Sequence, residues 1–182
     1  MQQCPQRTAA GVTVFSNQAW VIQMAAYIKF DGVDGESVAK GHDKWSDLMS
    51  FSQNIHKTGT GSTGVARRRG TPILEDLSCV KVVDKSSPKI AESVCNGKVF
   101  SKVEIHLKTS TTDSSRETYY KYELKDVMVT SYSVSGGDQD KPIENYSLNF
   151  SEIKVTYTEM DSKGSKKGDV SYGWKVEQGE KA

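Results

Sequence analysis

Cysteine is scarce in this 182-residue chain, and its distribution argues against two common uses of the residue. Cys4, Cys79 and Cys95 make an odd number, lie far apart and include no C-x-x-C pair. A disulfide framework uses even numbers of cysteines, and a structural zinc site uses closely spaced ligands. We therefore expect neither, and we interpret Cys79 and Cys95 as small buried hydrophobic residues in a protein that folds in a reducing compartment.

Long apolar runs are also missing. No stretch approaches the roughly 20 apolar residues of a membrane-spanning helix, so we expect no stable membrane insertion. Residues 1–23 contain one arginine and an apolar region interrupted by polar residues 16–18, which is not the order of a cleavable signal peptide. Met24 begins a stretch typical of the start of a domain. We interpret residues 1–23 as a non-native or disordered extension that precedes a single domain over 24–182.

Neither sign of charge is in excess. The chain has 24 Lys+Arg against 23 Asp+Glu, so nothing in the net charge attracts it to nucleic acid or to an anionic membrane. The densest basic cluster is Arg67, Arg68 and Arg69, within a fifteen-residue glycine-rich segment from Lys57 to Thr71. A loop of this length is usually functional or mobile. The cluster is compatible with a solvated loop tip, a nucleic-acid contact, or a contact with another subunit through guanidinium–carboxylate pairs.

Residues that carry chemistry show no recognised spacing. His42, His56 and His106 are the only histidines, and no H-x-H or H-x-x-x-H pattern occurs. We place His106 on the outward face of a strand and the other two beside loops. No G-x-S-x-G elbow is present, and "GTGSTG" at 59–64 lacks the lysine and the strand–loop–helix context of a phosphate loop. The sequence predicts no catalytic residue, no metal and no cofactor.

Period-two alternation dominates the chain from residue 25 onward, which predicts a mainly β protein. One short helix is predicted in "DKSSPKIAESVCNG", where Ser87 caps the start, Pro88 suits the first turn and Gly97 ends the helix. Its apolar face comprises Ile90, Ala91, Val94 and Cys95. The predicted strands cover residues 25–30, 45–56, 73–83, 98–108, 117–134, 142–160 and 168–178.

Two of the long strands change phase in the middle. The apolar positions are even up to Leu124 and odd from Val127, and a second change separates Phe150 from Ile153. We predict β-bulges at Lys125–Asp126 and Ser151–Glu152, because an inserted residue restores the facing of the second half and bends the strand. Two such bends suit a sheet that curls and closes. The predicted fold is a small antiparallel β-barrel, or a strongly coiled sandwich, with long bulged strands and one short flanking α-helix.

Five blocks of the sequence resemble the haemolysin co-regulated protein (Hcp) family of bacterial type VI secretion systems, in the family's order and across Met24–Ala182. The blocks are "AAYIKFDGVDGES", "RRRGTPILEDLSCVKVVDKSSPKIAESVCNGK", "VMVTSYSVSGG", "ENYSLNF" and "YGWKVEQ". The resemblance implies a curled β-barrel that is not an enzyme. It implies homo-hexameric rings that stack into a hollow tube, tipped by a spike protein and expelled when a surrounding sheath contracts.

The resemblance also implies partners and positions. The partners would be further copies, the spike protein, sheath and baseplate components, and effector proteins in the lumen, with no nucleic acid. The protein would be cytoplasmic before firing and then secreted without a cleavable signal peptide. The loop with Arg67, Arg68 and Arg69 would contact a neighbouring ring. The strand over 45–56 would contribute to the inner wall, and alternation leaves open whether Phe51 or Ser52 faces the lumen.

An alternative function is a monomeric β-barrel that binds a small ligand inside. Tyr120, Tyr122 and Trp174 could line such a pocket, or they could belong to the core.

Overall fold

The structure, a computed structural model, describes residues 25–57, 71–108, 117–138, 141–161 and 166–182. Its elements are antiparallel strands and one helix, which confirms the mainly β class. In chain order they are β1 (Ala25–Phe30), β2 (Ser46–Leu48), β3 (Ser50–Ser52), β4 (Ile55–Lys57), β5 (Pro72–Leu74), β6 (Leu77–Val82), α1 (Ser87–Asn96), β7 (Val99–Lys108), β8 (Thr118–Ser135), β9 (Ile143–Asn149), β10 (Glu152–Met160), β11 (Lys166–Lys175) and β12 (Glu180–Lys181).

The strand pairings close on themselves. Starting from β1, they run through β7, β8, β9 and β6 to β3, and β2 pairs back to β1. Only Met49 separates β2 from β3, and its backbone N–H donates to the carbonyl of Val80 at 2.8 Å. The predicted strand over 45–56 is therefore divided into β2, β3 and β4. Strands β2 and β3 join the circuit as one wall, and β4 pairs with β5 in a separate sheet. This circuit is an antiparallel barrel, and β10, β11 and β12 extend the sheet beyond it.

The barrel wall bends along a line through Ser101, Asp126 and Ser151. Asp126 lies opposite Ser101 in the pairing of β7 with β8, and opposite Ser151 between β9 and β10. It has a left-handed backbone with φ 47°, and its Oδ2 accepts a hydrogen bond from Ser151 Oγ at 2.8 Å. Both predicted phase changes are present, since Leu124 and Val127 are buried, and so are Phe150 and Ile153.

The mechanism of these corners differs from the prediction. The pairing register is the same on both sides of Asp126, so no residue is inserted there. Strand β7 changes phase at the same level, with Phe100 buried and Val99 54% exposed, although the alternation of Val99 with Val103 predicts the opposite. Because the buried face changes at the same level in β7, in β8 and between β9 and β10, the pairing register between them does not change. The register shifts lie elsewhere, near Val129, Leu107 and Glu159.

Helix α1 begins and ends close to the predicted residues. Pro88 lies in its first turn, and Gly97 ends it with φ 67°, a conformation that glycine adopts without strain. The residue at the N-cap is Ser86, one position earlier than predicted, and its side chain makes no capping hydrogen bond. The Ser87 hydroxyl accepts a hydrogen bond from the Asp84 N–H.

The buried face of α1 is rotated relative to the prediction. Ile90 and Ser93 are buried, whereas Cys95 is exposed. Ser93 tolerates burial because its hydroxyl donates to the Ile90 carbonyl at 2.6 Å. The prediction of a buried Cys95 was wrong, and that of a buried Cys79 is confirmed.

Side chains fill the barrel interior. The residues that are at most 1% exposed there include Ile28, Leu77, Val103, Ile105, Leu124, Leu148 and Ile153. Tyr122 belongs to the same cluster, and Tyr120 and Trp174 pack against it.

A buried ionic network connects the barrel to the start of α1. Lys81 and Glu144 are both 0% exposed, and Lys81 Nζ lies 2.7 Å from Glu144 Oε1. The same ammonium donates to Asp84 Oδ1 at 2.8 Å, just before the helix. Tyr132 Oη donates to the other carboxylate oxygen of Glu144 at 2.7 Å.

Candidate functional site

An uncharged, hydroxyl-rich face covers the outside of four neighbouring strands. Cross-strand pairing places Ser52 beside Ser78, Ser78 beside Ser147, and Ser147 beside Ser131. A second row runs from Ser50 through Val80 and Asn145 to Ser133. We call these eight residues the serine face: Ser50, Ser52, Ser78, Val80, Ser131, Ser133, Asn145 and Ser147. All of them are exposed or partly exposed, and none is ionisable.

The two residues between which the sequence could not choose lie on opposite sides of β3. Phe51 is partly buried and packs against the barrel core, with its ring 5.4 Å from the Tyr122 ring in an edge-on contact. Ser52 is exposed on the serine face. The strand's alternation thus separates them, as its period requires.

A second surface continues the core face of the sheet past the barrel. Tyr157 pairs with Tyr120 on one side and Val170 on the other, and Val155 pairs with Tyr172. We call Tyr120, Tyr157, Val170 and Tyr172 the tyrosine face. Val170 is 73% exposed, and Tyr157 is 45% exposed. These residues share the side of the sheet that buries Ile153. Tyr120 packs against the core there, whereas Tyr157, Val170 and Tyr172 are exposed, so the apolar and aromatic face continues into solvent among the described residues.

The tyrosine face adjoins an open strand edge. Strand β12 pairs with β11 only at Trp174 and Lys175, and Ala182 N–H donates to the Gly173 carbonyl. In the part of the chain that the structure describes, no strand pairs with the outer edge of β11 from Lys166 to Tyr172. An edge of this kind is a template for contact with another chain.

At the other end of the strand order lies a groove of about 300 Å³. Strand β11 is close to one end of the path β12-β11-β10-β8-β7-β1-β2, and β2 is at the other end. We call this the acidic groove, and its lining residues are Glu36, Ser37, Asp47, Leu48, Met49, Val82, Val83, Asp84 and Lys141. Met49 is 55% exposed and Val83 is 36% exposed, so the groove combines apolar side chains with carboxylates.

Two histidines form a pair that the sequence did not reveal. His42 Nε2 lies 2.8 Å from His106 Nδ1, within hydrogen-bond distance. The His42 ring stacks on Tyr27 and meets Trp45 edge-on, which holds the loop before β2 against β1 and β7. Burial lowers the pKa of His42 to about 4 and that of His106 to about 3. Both rings are therefore neutral near pH 7.

The two histidines have a structural role in this arrangement. His106 does point outward from its strand, as alternation predicts, but the loop covers it. Among the described residues no three His, Cys, Asp or Glu side chains cluster closely enough to hold a metal ion. Over the same residues no helix is long and apolar enough to cross a membrane.

Arg67, Arg68 and Arg69 lie outside the described residues. The structure describes only the hairpin on either side of their segment, in which β4 pairs with β5. Ile55 and Ile73 are 47% and 45% exposed on that hairpin.

The fold and these surfaces define a class: a small antiparallel β-barrel with one helix, whose extended exposed faces suit contact with other proteins. A family model described as "Type VI secretion system effector, Hcp" matches residues 27–157. "Protein hcp1" of Pseudomonas aeruginosa is 32% identical over 154 residues, which are 84% of this chain and 94% of that protein.

Solved structures agree. One described as "Structure of a type six secretion system protein" superposes with a TM-score of 0.81 at 28% identity, over 87% of this chain and 99% of that one. Hcp1 from Salmonella typhimurium shares the fold, with a TM-score of 0.71 at 22% identity over 87% and 99% of the two chains. The chain belongs to the Hcp family and is a tube protein of the type VI secretion system. The resemblance found in the sequence is confirmed.

Proposed function

We propose that six copies of this chain close a ring, that rings stack into the hollow inner tube, and that the serine face forms the wall of the lumen. The serine face is the observation that supports this proposal. Six of its eight positions are serines, and its hydroxyls interact well with water and offer neither a hydrophobic patch nor a net charge. A wall of this kind suits the passage of effector proteins of either charge.

This proposal assigns Ser52 to the lumen and Phe51 to the barrel core. The conduit would carry effectors, end in a spike protein and work with sheath and baseplate components. The chain would remain in the cytoplasm until firing and then leave the cell without a cleaved signal peptide. Its role would be mechanical, with no catalysis of its own.

The mass of the purified protein in solution tests the ring. Light scattering should give about six times the 20.1 kDa chain mass, and electron micrographs should show open rings. A homogeneous species of one chain mass would contradict the proposal and favour the monomeric ligand-binding barrel. The filled interior already speaks against that alternative, because Leu124, Val103 and their neighbours occupy the space that a ligand would need.

Labelling stoichiometry tests which face lines the lumen. In a Cys4→Ser, Cys95→Ser background, Ser52→Cys should accept a small maleimide on all six subunits of a ring. It should accept fewer than six copies of a bulky polymer maleimide, because the lumen cannot hold them all. Cys95, exposed on α1, is the matched control in a Cys4→Ser chain and should accept six of either reagent. Full polymer labelling at both positions would show that Ser52 faces the outside.

We also propose that the loop carrying Arg67, Arg68 and Arg69 contacts the neighbouring ring. The hairpin of β4 and β5 carries this loop and exposes Ile55 and Ile73 beside it. Replacing the three arginines with glutamate should leave the ring mass unchanged and shorten or abolish stacked tubes in micrographs. Loss of single rings would contradict this role.

A further inference from the structure

We propose that neighbouring copies within a ring join by a heterologous contact, in which the tyrosine face of one copy packs against the acidic groove of the next. The inference rests on the proposed ring and names the two surfaces that build it. Its first support is their position. The tyrosine face lies on β10 and β11, which extend the sheet beyond the barrel, and the groove lies on the barrel itself beside β2. A contact between two different patches passes from copy to copy and closes into a ring when the rotation allows.

The apolar parts of the two surfaces match. Val170, Tyr157 and Tyr172 are 73%, 45% and 41% exposed, although they continue the face that forms the barrel core. Across the contact, Met49 and Val83 supply exposed apolar groups at 55% and 36%. Aromatic residues and methionine are enriched in protein interfaces, because they bury much apolar area while their polar atoms reach partners at the rim.

The charges of the two surfaces are opposite. Strands β10 and β11 together carry four lysines against three carboxylates, which leaves one positive charge in excess. Two of the lysines, Lys167 and Lys175, lie 3.5 Å from the carboxylates of Glu159 and Glu180. The groove has carboxylates on Glu36, Asp47 and Asp84, and Lys81 already pairs with Asp84. Glu36 and Asp47 against the ammonium of Lys141 leave one negative charge in excess.

These charges also favour a head-to-tail contact over a symmetric one. Pairing two tyrosine faces would bring two positive β11 strands together, and pairing two grooves would bring carboxylates together. Either symmetric contact is disfavoured by like charges, whereas face against groove joins opposite ones.

The open edge of β11 provides a fourth support. Its backbone from Lys166 to Tyr172 pairs with no described strand, and its side chains there are exposed. A neighbouring copy placed against the tyrosine face would cover this edge, which otherwise invites irregular association.

Two single substitutions disrupt the two surfaces separately. Val170→Asp places a carboxylate in the middle of the tyrosine face, and Met49→Asp places one among the apolar residues of the groove. Both sites are more than half exposed, so both variants should fold normally, as circular dichroism will show. At a concentration at which the original chain forms rings, each variant alone should remain at one chain mass, because an unpaired carboxylate is costly to bury. Val99→Asp, at a valine 54% exposed on β7, is the matched control and should form rings like the original chain.

Mixing the two defective variants distinguishes a heterologous contact from any other. A Val170→Asp copy keeps its groove, and a Met49→Asp copy keeps its tyrosine face. Equal amounts together should therefore form heterodimers of twice 20.1 kDa and nothing larger, although each variant alone remains at one chain mass. Absence of a heterodimer would overturn the inference.

Other outcomes separate this inference from the proposed function. If Val170→Asp or Met49→Asp still forms rings, or if Val99→Asp loses them to the same extent, the contact between copies lies elsewhere. The proposal that the original chain forms a ring would be unaffected. If the original chain forms no ring, the proposed function fails first.

Discussion

Replacing Lys81 by methionine tests how the barrel holds the start of helix α1. Lys81 is 0% exposed and lies between two carboxylates, at 2.7 Å from Glu144 and 2.8 Å from Asp84. Methionine fills a similar volume, so the substitution removes a charge and leaves little cavity. What it leaves is a pair of carboxylates without their cation, one of them fully buried.

The expected loss in the free energy of unfolding follows from the two carboxylates that have lost their cation. Removing one partner of a buried ion pair costs about 3–5 kcal/mol, because the remaining charge has lost both water and partner. Glu144→Gln should cost less, about 1–3 kcal/mol. In that variant Asp84 still neutralises Lys81, and the amide oxygen of glutamine can still accept the Tyr132 hydroxyl. The double variant Lys81→Met, Glu144→Met should recover part of the loss, since neither buried charge remains.

Urea unfolding followed by circular dichroism, at one protein concentration for all variants, measures these differences. The reasoning requires Lys81→Met to be clearly less stable than Glu144→Gln. Equal losses, or a loss below about 1 kcal/mol for Lys81→Met, would mean that water reaches the pair and that its geometry does not hold α1.

Two further predictions concern the loop before β2. Burial lowers the pKa values of His42 and His106 far below the ordinary value of 6.5, so the unfolded chain takes up these protons at a higher pH than the folded chain does. Stability should therefore be full above pH 6.5 and fall as pH drops toward 4, by up to about 1.4 kcal/mol per pH unit per histidine. Urea midpoints across this range should show that slope. The variant His42→Asn should flatten the slope of stability against pH. The control His56→Asn, at an exposed histidine, should leave the slope unchanged. An unchanged slope in His42→Asn would contradict the reasoning. Gly35→Ala should cost about 1–3 kcal/mol, because a Cβ there would lie 2.3 Å from the Trp45 carbonyl oxygen. Gly137→Ala has open space and should be neutral by the same assay, so equal effects at both glycines would refute the steric explanation.

The sequence predicted what depends on local pattern. The phase changes before Val127 and Ile153 marked corners, because burial on one face leaves its trace in every second residue. Pro88 and Gly97 marked the ends of the helix, because each fixes a backbone conformation by itself.

What the sequence concealed depends on residues far apart. His106 lies on a regular strand, and nothing near it indicates that His42, 64 positions away, folds over it. The alternation of Val99 with Val103 predicted the wrong face for Val99, because β7 changes its buried face at the corner that it shares with Asp126. Phe51 and Ser52 could not be assigned to faces until β3 was seen paired with β6 and packed beside Tyr122.

The closed circuit of strands has a consequence for synthesis. Strand β6 pairs only with β3 and β9 among the described strands, and β9 ends at Asn149. A nascent chain on the ribosome thus has its helix and first hairpins long before the cylinder can shut, with Leu77 and Cys79 facing an unfinished interior. The barrel can close only when about the last quarter of the chain is being translated. Until then the apolar residues of the unpaired strands are exposed, and only chaperones or fast folding can prevent their aggregation.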